Sequence, residues 1–354
     1  MMILQPMQAE PGQAGLGSVS PYNLFLETLT ARVIQEDYRI SREEAVAVAA
    51  VAPGDEMLLF HYASRLRRAF KGNTVGVCSI VNAKSGRCSE DCSFCSQSAH
   101  YQTQAPVYPL MQPREILNVA RQAKVDGAQE FGLVISGKGI ASRLELEAIG
   151  ALVKAVIEQV GIEVHASVGI LNKSQIEYLR QCGVTMFHHN LETSERYFSS
   201  ICTTHSYEER IQTLRAIREC GLRSCSGGIF GMGETLEDRV DLALTLQQLD
   251  VDTVPMNFLH PIDGTPMQDL VPMPPMEILR TIALFRFILP DKEIKICGGR
   301  VVNLRDLQSM IFAAGANSLM VGNYLTTAGR DPELDWQMLR DLELEVDPSG
   351  CGAK

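Results

Sequence analysis

TVGVCSIVNAKSGRCSEDCSFCSQSAHY, residues 74–101, opens as a β-branched apolar run and passes directly into a polar loop carrying three cysteines. Seven further runs of the strand kind follow, at Glu130 (EFGLVIS), Ile162 (IEVHASVG), Val184 (VTMFHHN), Arg223 (RSCSGGIF), Thr253 (TVPMNFL), Glu293 (EIKICGG) and Asn317 (NSLMVG). Amphipathic stretches at 114–126, 143–159, 174–182, 206–220, 235–249, 276–289 and 304–314 lie between them. Several end in glycine before the next strand, as at Gly127, Gly161, Gly183 and Gly221, which is how helices are commonly terminated. Ser174 and Ser206 stand at N-cap positions. Eight strands alternating with seven helices predict a parallel α/β fold. A closed (β/α)8 TIM-type barrel takes about 250 residues and fits this span. A doubly wound open sheet is the alternative, because periodicity does not report closure.

Upstream, residues 1–20 are rich in Gln, Gly, Pro and Ser and predict a flexible tail. Residues 21–72 have helical apolar spacing and form an N-terminal extension, with Ser41 and Glu44 at capping-box distance. The barrel is expected over 73–330, and the acidic segment 331–354 as a C-terminal tail that frays. Of 354 residues, 32 are Lys or Arg and 42 are Asp or Glu, a net charge of −10. Such a chain has no general attraction for nucleic acid or for anionic membranes. No apolar run approaches the roughly 18 residues of a membrane span, and the start MMILQPMQAEPGQAG lacks a basic n-region. A cytoplasmic protein is the expectation.

In that setting the ten cysteines are read for metal or cluster chemistry rather than as a disulfide framework. Cys88-x3-Cys92-x2-Cys95 places three thiolates within eight residues, among Ser, Glu, Asp and Gln. Thiolates suit iron and zinc. A tetrahedral zinc site needs a fourth ligand, for which His100 is nearest. A four-iron cube held by three thiolates keeps one iron open.

Cys-x3-Cys-x2-Cys is the cluster motif of the radical S-adenosylmethionine (SAM) enzymes. The longer block NAKSGRCSEDCSFCSQS resembles the biotin synthase family. So do HHNLETS (188–194), YEERIQTL (207–214), SCSGGIFGMGET (224–235), VPMNFL (254–259), GTPM (264–267) and AGANSLMVGNYLTT (314–327). The resemblance implies a barrel in which a reduced [4Fe-4S] cluster passes an electron to SAM. The resulting 5′-deoxyadenosyl radical takes hydrogen from dethiobiotin, and an auxiliary iron-sulfur cluster gives the sulfur. It also implies roles for residues. Cys88, Cys92 and Cys95 would hold the SAM cluster. Phe94 would lie beside the adenine, Asn190 and Glu192 at the ribose, Arg210 at the SAM carboxylate, and Ile229 with its backbone on adenine. His188, Asn190 and Asn257 would flank the ureido ring of dethiobiotin, and Thr326 and Thr327 its carboxylate.

One part of the family pattern is missing. The familiar auxiliary [2Fe-2S] cluster is held by three cysteines and an arginine, and here those positions carry Gly132, His165, Cys225 and Lys295. Two other cysteines suggest a replacement: Cys78 on the first strand, and Cys297 two residues beyond Lys295 and so on the same strand face. Inward side chains of different staves converge on a barrel axis. Cys78, Cys225 and Cys297 are therefore expected to form a second three-thiolate site for a four-iron auxiliary cluster. Arg223, Lys295 and Arg300 would supply positive charge near it. Cys182, Cys220, Cys202 and Cys351 receive no role, with no partner evident for Cys202.

The resemblance further implies an electron donor such as flavodoxin or ferredoxin, iron-sulfur assembly proteins and a homodimer. Two alternatives stay open: another radical SAM barrel enzyme, of the hydrogenase-maturation or methylornithine kind, and a non-catalytic electron-transfer or zinc protein. Neither would be expected to carry the QS after Cys95, SCSGGI, the LTT block and the SAM-pocket residues together.

Overall fold

Buried parallel strands read as near-continuous apolar runs because both faces are covered. The computed structural model, which describes residues 20–347, places a strand at each of the eight expected runs: β1 (Thr74–Lys84), β2 (Glu130–Ile135), β3 (Glu163–Ser167), β4 (Met186–His188), β5 (Arg223–Cys225) continued by β6 (Gly228–Phe230), β7 (Thr253–Phe258), β8 (Glu293–Ile296) and β9 (Ser318–Met320). All their pairings are parallel. Closure comes from β1 against β9, with Gly76 opposite Ser318, Val77 opposite Leu319 and Cys78 opposite Met320. The open-sheet alternative is thereby excluded. The fifth stave is broken at Ser226–Gly227, so that β5 and β6 both lean on β7.

Three helices precede the barrel: α1 (Pro21–Glu36), α2 (Arg42–Ala49) and α3 (Glu56–Lys71). Ser41 and Glu44 close the expected capping box on α2. Between strands run α4 (Pro113–Val125), α5 (Arg143–Val160), α6 (Lys173–Gln181), α7 (Glu195–Phe198), α8 (Tyr207–Glu219), α9 (Leu236–Gln248), α10 (Pro275–Ile288), α11 (Arg300–Leu304) and α12 (Met310–Ala313). Ser206 caps α8 as expected, but the cap of α6 is Asn172, not Ser174, whose hydroxyl donates to Asn172 Oδ1 (2.6 Å).

The extension explains a peculiarity of α10, whose sequence PMEILRTIALFRFI is buried on nearly every face. A helix apolar all round needs cover all round. Here the barrel lies on one side and α2, α3 and α9 on the others. Arg286 is wholly buried within it and donates to the carbonyls of Leu289, Pro290, Lys292 and Gly315 and to Asn317 Oδ1.

Residues 332–346 differ from the expected frayed tail. They form α13 (Pro332–Asp341) and β10 (Glu345–Val346), the latter parallel to the start of β1 at Thr74 and Val75. Trp336 Nε1–H donates to the Asp126 carbonyl (2.9 Å), which ties α13 to the barrel. The expected tail 1–20 and Cys351 lie outside the described residues, apart from Ser20, which caps α1. Among the described residues no helix is long and apolar enough to cross a membrane.

Candidate functional site

The C-terminal ends of parallel barrel strands all point the same way, so their loops enclose one mouth. That mouth holds a cavity of about 410 Å³. All fifteen residues singled out as candidate site residues line it, although they are spread from Cys78 to Thr327.

The cysteine loop follows β1 and is folded by its own polar residues. Gln97 Oε1 accepts from Gly86 N (3.2 Å), Ser85 Oγ (3.0 Å) and Asn82 Nδ2 (3.3 Å). Gly86 turns with φ 76°, and a Cβ there would come within 2.6 Å of Val107, so glycine is required. The Cys88 amide donates to Gln97 O (3.0 Å), and Cys95 N to Cys92 O (2.9 Å), and all three cysteines line the cavity. Asp91 fastens this loop to residues 203 and 204. Its carboxylate accepts from Thr203 N (2.8 Å), Thr204 N (3.2 Å) and both threonine hydroxyls. Burial works against that charge, but these hydrogen bonds hold the Asp91 carboxyl well below the usual carboxylate range. His100, the suggested fourth zinc ligand, is exposed; its Nε2 meets the Ser89 carbonyl (2.9 Å), away from the thiols.

The segment after β4 supplies the second wall. Asn190 Oδ1 accepts from Gly227 N (3.1 Å) while its Nδ2 donates to Glu192 Oε2 (3.2 Å). Arg210, from α8, donates to the Asn190 carbonyl (2.8 Å) and lies 3.5 Å from Glu192 Oε1. Glu192 takes φ 70°, and its carbonyl accepts from Ile229 N (2.9 Å). A Cβ on Gly228 would stand 2.3 Å from that carbonyl, so the SGGI run permits the close approach. Burial raises the Glu192 pKa, and Arg210 opposes the rise.

Cys78 on β1, Cys225 at the end of β5 and Cys297 just past β8 line the same cavity from three staves. They are more buried than Cys88 and Cys95. Burial pushes the Cys78 thiol up to about 11 against the pull of Lys295. Burial also raises Cys225 and Cys297 well above the ordinary thiol value, and charge on neighbouring thiols adds to the rise. As free thiols they are neutral at pH 7, so only a bound metal would ionise them. Lys295 lines the cavity as expected, and its Nζ lies 3.3 Å from Glu130 Oε2. Arg223 and Arg300 do not line it: Arg223 pairs with Glu163, and Arg300 with Asp335. The expectation that all three cations face the inner site is corrected on this point, since half-buried Glu163 claims Arg223 and buried Asp335 claims Arg300. Gly132 and His165, at the family's cysteine positions, both line the cavity. A Cβ on Gly132 would meet Ile80 Cγ2 at 2.9 Å, so any side chain there would press its first carbon on that methyl group.

His188 Nδ1 shares a hydrogen bond with Ser167 Oγ (3.1 Å). Burial, then the positive charge of Lys295, lowers its pKa to about 4, which leaves a neutral imidazole. Asn257 bridges two staves, donating to the Gly228 carbonyl (3.2 Å) and accepting from Gly298 N (2.9 Å). Thr326 Oγ1 lies 3.0 Å from Ser96 Oγ, and the Thr327 carbonyl accepts from Tyr324 N (3.0 Å). Phe94 sits between two loop cysteines on the cavity wall. Sequence reasoning missed Cys202 and His205. Cys202 Sγ lies 3.8 Å from Cys92 Sγ, and His205 Nδ1 lies 2.6 Å from Glu90 Oε2. Glu90, inside the cysteine loop, was the one available hint.

Residues 83–246 match the family model described as the radical SAM superfamily. Residues 255–345 match the biotin and thiamin synthesis associated domain. The chain is 51% identical over 329 residues to a biotin synthase of Geobacter metallireducens, covering 93% of this chain and 99% of that one. It is 49% identical over 313 residues to a biotin synthase of Pelotomaculum thermopropionicum, covering 88% and 97%. Among solved structures, a methylornithine synthase superposes with a TM-score of 0.78 at 19% identity, covering 90% of this chain and 97% of that one. An FeFe-hydrogenase maturase from Carboxydothermus hydrogenoformans gives 0.77 at 16%, covering 92% and 79%. At those identities the two likenesses concern the fold alone.

Proposed function

Since the chain belongs to the biotin synthase family and is a radical SAM enzyme, we propose that it inserts sulfur into dethiobiotin, using a second cluster held by Cys78, Cys225 and Cys297. The observation that carries this reading is that two sets of three thiols, far apart in sequence, line one cavity at the mouth of a closed barrel. When bound, a [4Fe-4S] cluster with SAM supplies a radical able to break an unactivated C–H bond, and an auxiliary four-iron cluster supplies sulfur. The donor set fits both groups: three cysteines apiece facing shared space, with neutral buried thiols that metal binding would ionise.

The protein's own part is position, charge and exclusion of water. Cys88, Cys92 and Cys95 hold the first cluster on a loop braced by Gln97. Phe94 would lie beside the adenine, with its backbone making the contact. The Ile229 amide is already given to Glu192, so its carbonyl is what it offers to the adenine. Asn190 and Glu192 meet the ribose, and Arg210 carries the positive charge facing the SAM carboxylate. Neutral His188, with Asn190 and Asn257, hydrogen-bonds the ureido ring without adding charge. Thr326 and Thr327 take the carboxylate tail. Two features support moving the auxiliary site away from the familiar positions: a Cβ at position 132 would press on Ile80 Cγ2, and Lys295 is paired with Glu130. An external electron donor such as flavodoxin or ferredoxin would supply the electron, and iron-sulfur assembly proteins are the other partners of this reading.

Anaerobic reconstitution with iron and sulfide counting and Mössbauer spectroscopy tests the reading. Two clusters are expected in the wild type; Cys88→Ala should keep only the auxiliary one, and Cys78→Ala or Cys297→Ala only the SAM cluster. Full auxiliary iron in both of the latter variants refutes the ligand set. Absence of biotin from reactions of fully loaded enzyme with dethiobiotin, SAM and reductant refutes the substrate.

A further inference from the structure

Asp335 lies outside the cavity, on the C-terminal segment, yet it reaches the cavity wall through Arg300. Residues 322–330 form a loop after β9 whose two ends touch. Gly322 turns with φ 77°, and a Cβ on Gly329 would stand 1.8 Å from the Gly322 carbonyl oxygen, so glycine is what lets the ends meet. Gly329 N–H donates to Asn323 Oδ1 (3.2 Å), and Tyr324 N–H to the Thr327 carbonyl (3.0 Å). Tyr324, Leu325, Thr326 and Thr327 line the cavity. In front, the Leu325 carbonyl accepts from Asn82 Nδ2 on β1 (3.0 Å), and Thr326 Oγ1 meets Ser96 Oγ.

Behind the loop stands a buried clasp. Arg300, wholly buried at the start of α11, donates from Nε to the Tyr324 hydroxyl (3.2 Å), from Nη1 to Gln308 Oε1 (2.7 Å) and from Nη2 to Asp335 Oδ2. The other oxygen of that carboxylate, Oδ1, accepts from Arg330 Nη1 (3.0 Å), at the exit of the same loop. One buried carboxylate thus grips the loop near its start, through Arg300 and Tyr324, and at its end, through Arg330. A guanidinium presents its donors in fixed directions, so holding Nη2 also fixes where Nε points. Asp335 is itself held. Its neighbour Trp336 donates to the Asp126 carbonyl and lies so close over Gly127 that a Cβ there would come within 2.5 Å of the ring. Beyond α13, β10 pairs with β1.

We propose that Asp335 is a positioning residue for the substrate: by clasping Arg300 and Arg330 it holds loop 322–330, and with it Thr326 and Thr327, in place to receive the carboxylate tail of dethiobiotin. Asp335 touches neither substrate nor cofactor and acts only through the loop. Its effect on the substrate rests on the reading that the two threonines bind the tail; its grip on the loop does not.

Full-length protein, reconstituted anaerobically with its clusters and SAM but given no reductant and so no turnover, is titrated calorimetrically with dethiobiotin. Asp335→Asn should weaken dethiobiotin by at least about tenfold and SAM by less than about twofold. Tyr324→Phe removes the link to the loop and leaves the buried ion pair intact, so it decides the matter alone if Asp335→Asn does not fold; it should weaken dethiobiotin by at least about threefold. The double variant should bind no more weakly than Asp335→Asn, because both changes break one connection. Amide exchange at Tyr324 and Gly329 should accelerate in Asp335→Asn. Leu59→Ala, in α3, lowers stability without touching the loop and should leave dethiobiotin affinity unchanged. An equal loss of affinity in Leu59→Ala overturns the proposal, because lower stability would then suffice. Wild-type affinity in both Asp335→Asn and Tyr324→Phe also overturns it, and Thr327→Val then locates the failure: weakened binding in that variant places it in the clasp, unchanged binding in the threonine assignment.

Discussion

Replacing Gly132 by Cys restores the residue that the familiar auxiliary site carries and tests why this chain abandoned it. The new Cβ would stand 2.9 Å from Ile80 Cγ2 and 3.7 Å from Ile80 Cβ. Cγ2 branches from Cβ and has no flexible stem to swing, so either β1 or β2 must shift. Extra volume forced into a packed interior costs about 1–3 kcal/mol. Glycine's weak strand propensity returns only a few tenths to about 1 kcal/mol. A net loss of about 1–2 kcal/mol is expected, read as a lower urea midpoint of the cluster-free chain at unchanged slope. Ile80→Ala removes the obstructing methyl. In the double variant the Gly132→Cys penalty should shrink, giving a coupling of at least about 0.5 kcal/mol. If Gly132→Cys alone lies within about 0.3 kcal/mol of wild type, or the two changes add without coupling, Ile80 does not exclude a thiol there.

Three further outcomes follow from the structure. The Glu163 carboxyl, held down to about 2 by His165, Thr185 and Arg223 against the opposing effect of burial, contributes stability that is present above its ordinary value of 4.5 and lost as pH falls through about 2; urea midpoints of wild type should therefore fall more steeply over that interval than those of Glu163→Gln, and parallel curves contradict this. Phe285→Ala removes a fully buried ring stacked edge-on to Phe230 at 5.2 Å and should cost about 3–5 kcal/mol in equilibrium unfolding; a loss under about 1 kcal/mol would show that α10 is not packed as described. Asp91→Ala removes charge-assisted bonds to Thr203 and Thr204, so amide exchange there should accelerate about 10-fold or more while the barrel strands stay protected; unchanged exchange would mean that Asp91 does not fasten the two loops.

The strand runs were legible because staves buried on both faces need uninterrupted apolar, β-branched sequence. Their exact starts were less so. Val184 looks like strand, but its amide bonds back to Leu179 O at the end of α6, and β4 begins at Met186. The seventh helical stretch, 304–314, reads as one amphipathic helix, yet Arg305 takes φ 51° and ends α11 at Leu304, which leaves a 3-10 turn at Arg305–Leu307 and the short α12 in its place. Residues 345–346 carry no local strand signal, since β10 exists only by docking on Thr74 and Val75 across the chain. Candidate site residues were legible where short blocks preserve a family pattern, and strand parity placed Lys295 and Cys297 together. Cys202 was not legible: it meets Cys92 across 110 positions, and no local pattern encodes that contact. Nor could spacing foretell that Glu163 and Asp335 would turn Arg223 and Arg300 away from the cavity.

The account depends on two inorganic centres in one barrel mouth. Anomalous diffraction at the iron edge, from crystals of reconstituted protein grown without oxygen, tests it most directly. The prediction is two separate iron peaks, one against Cys88, Cys92 and Cys95 and one against Cys78, Cys225 and Cys297. A single peak at the loop, or a second peak out of contact with those three inner thiols, would contradict it.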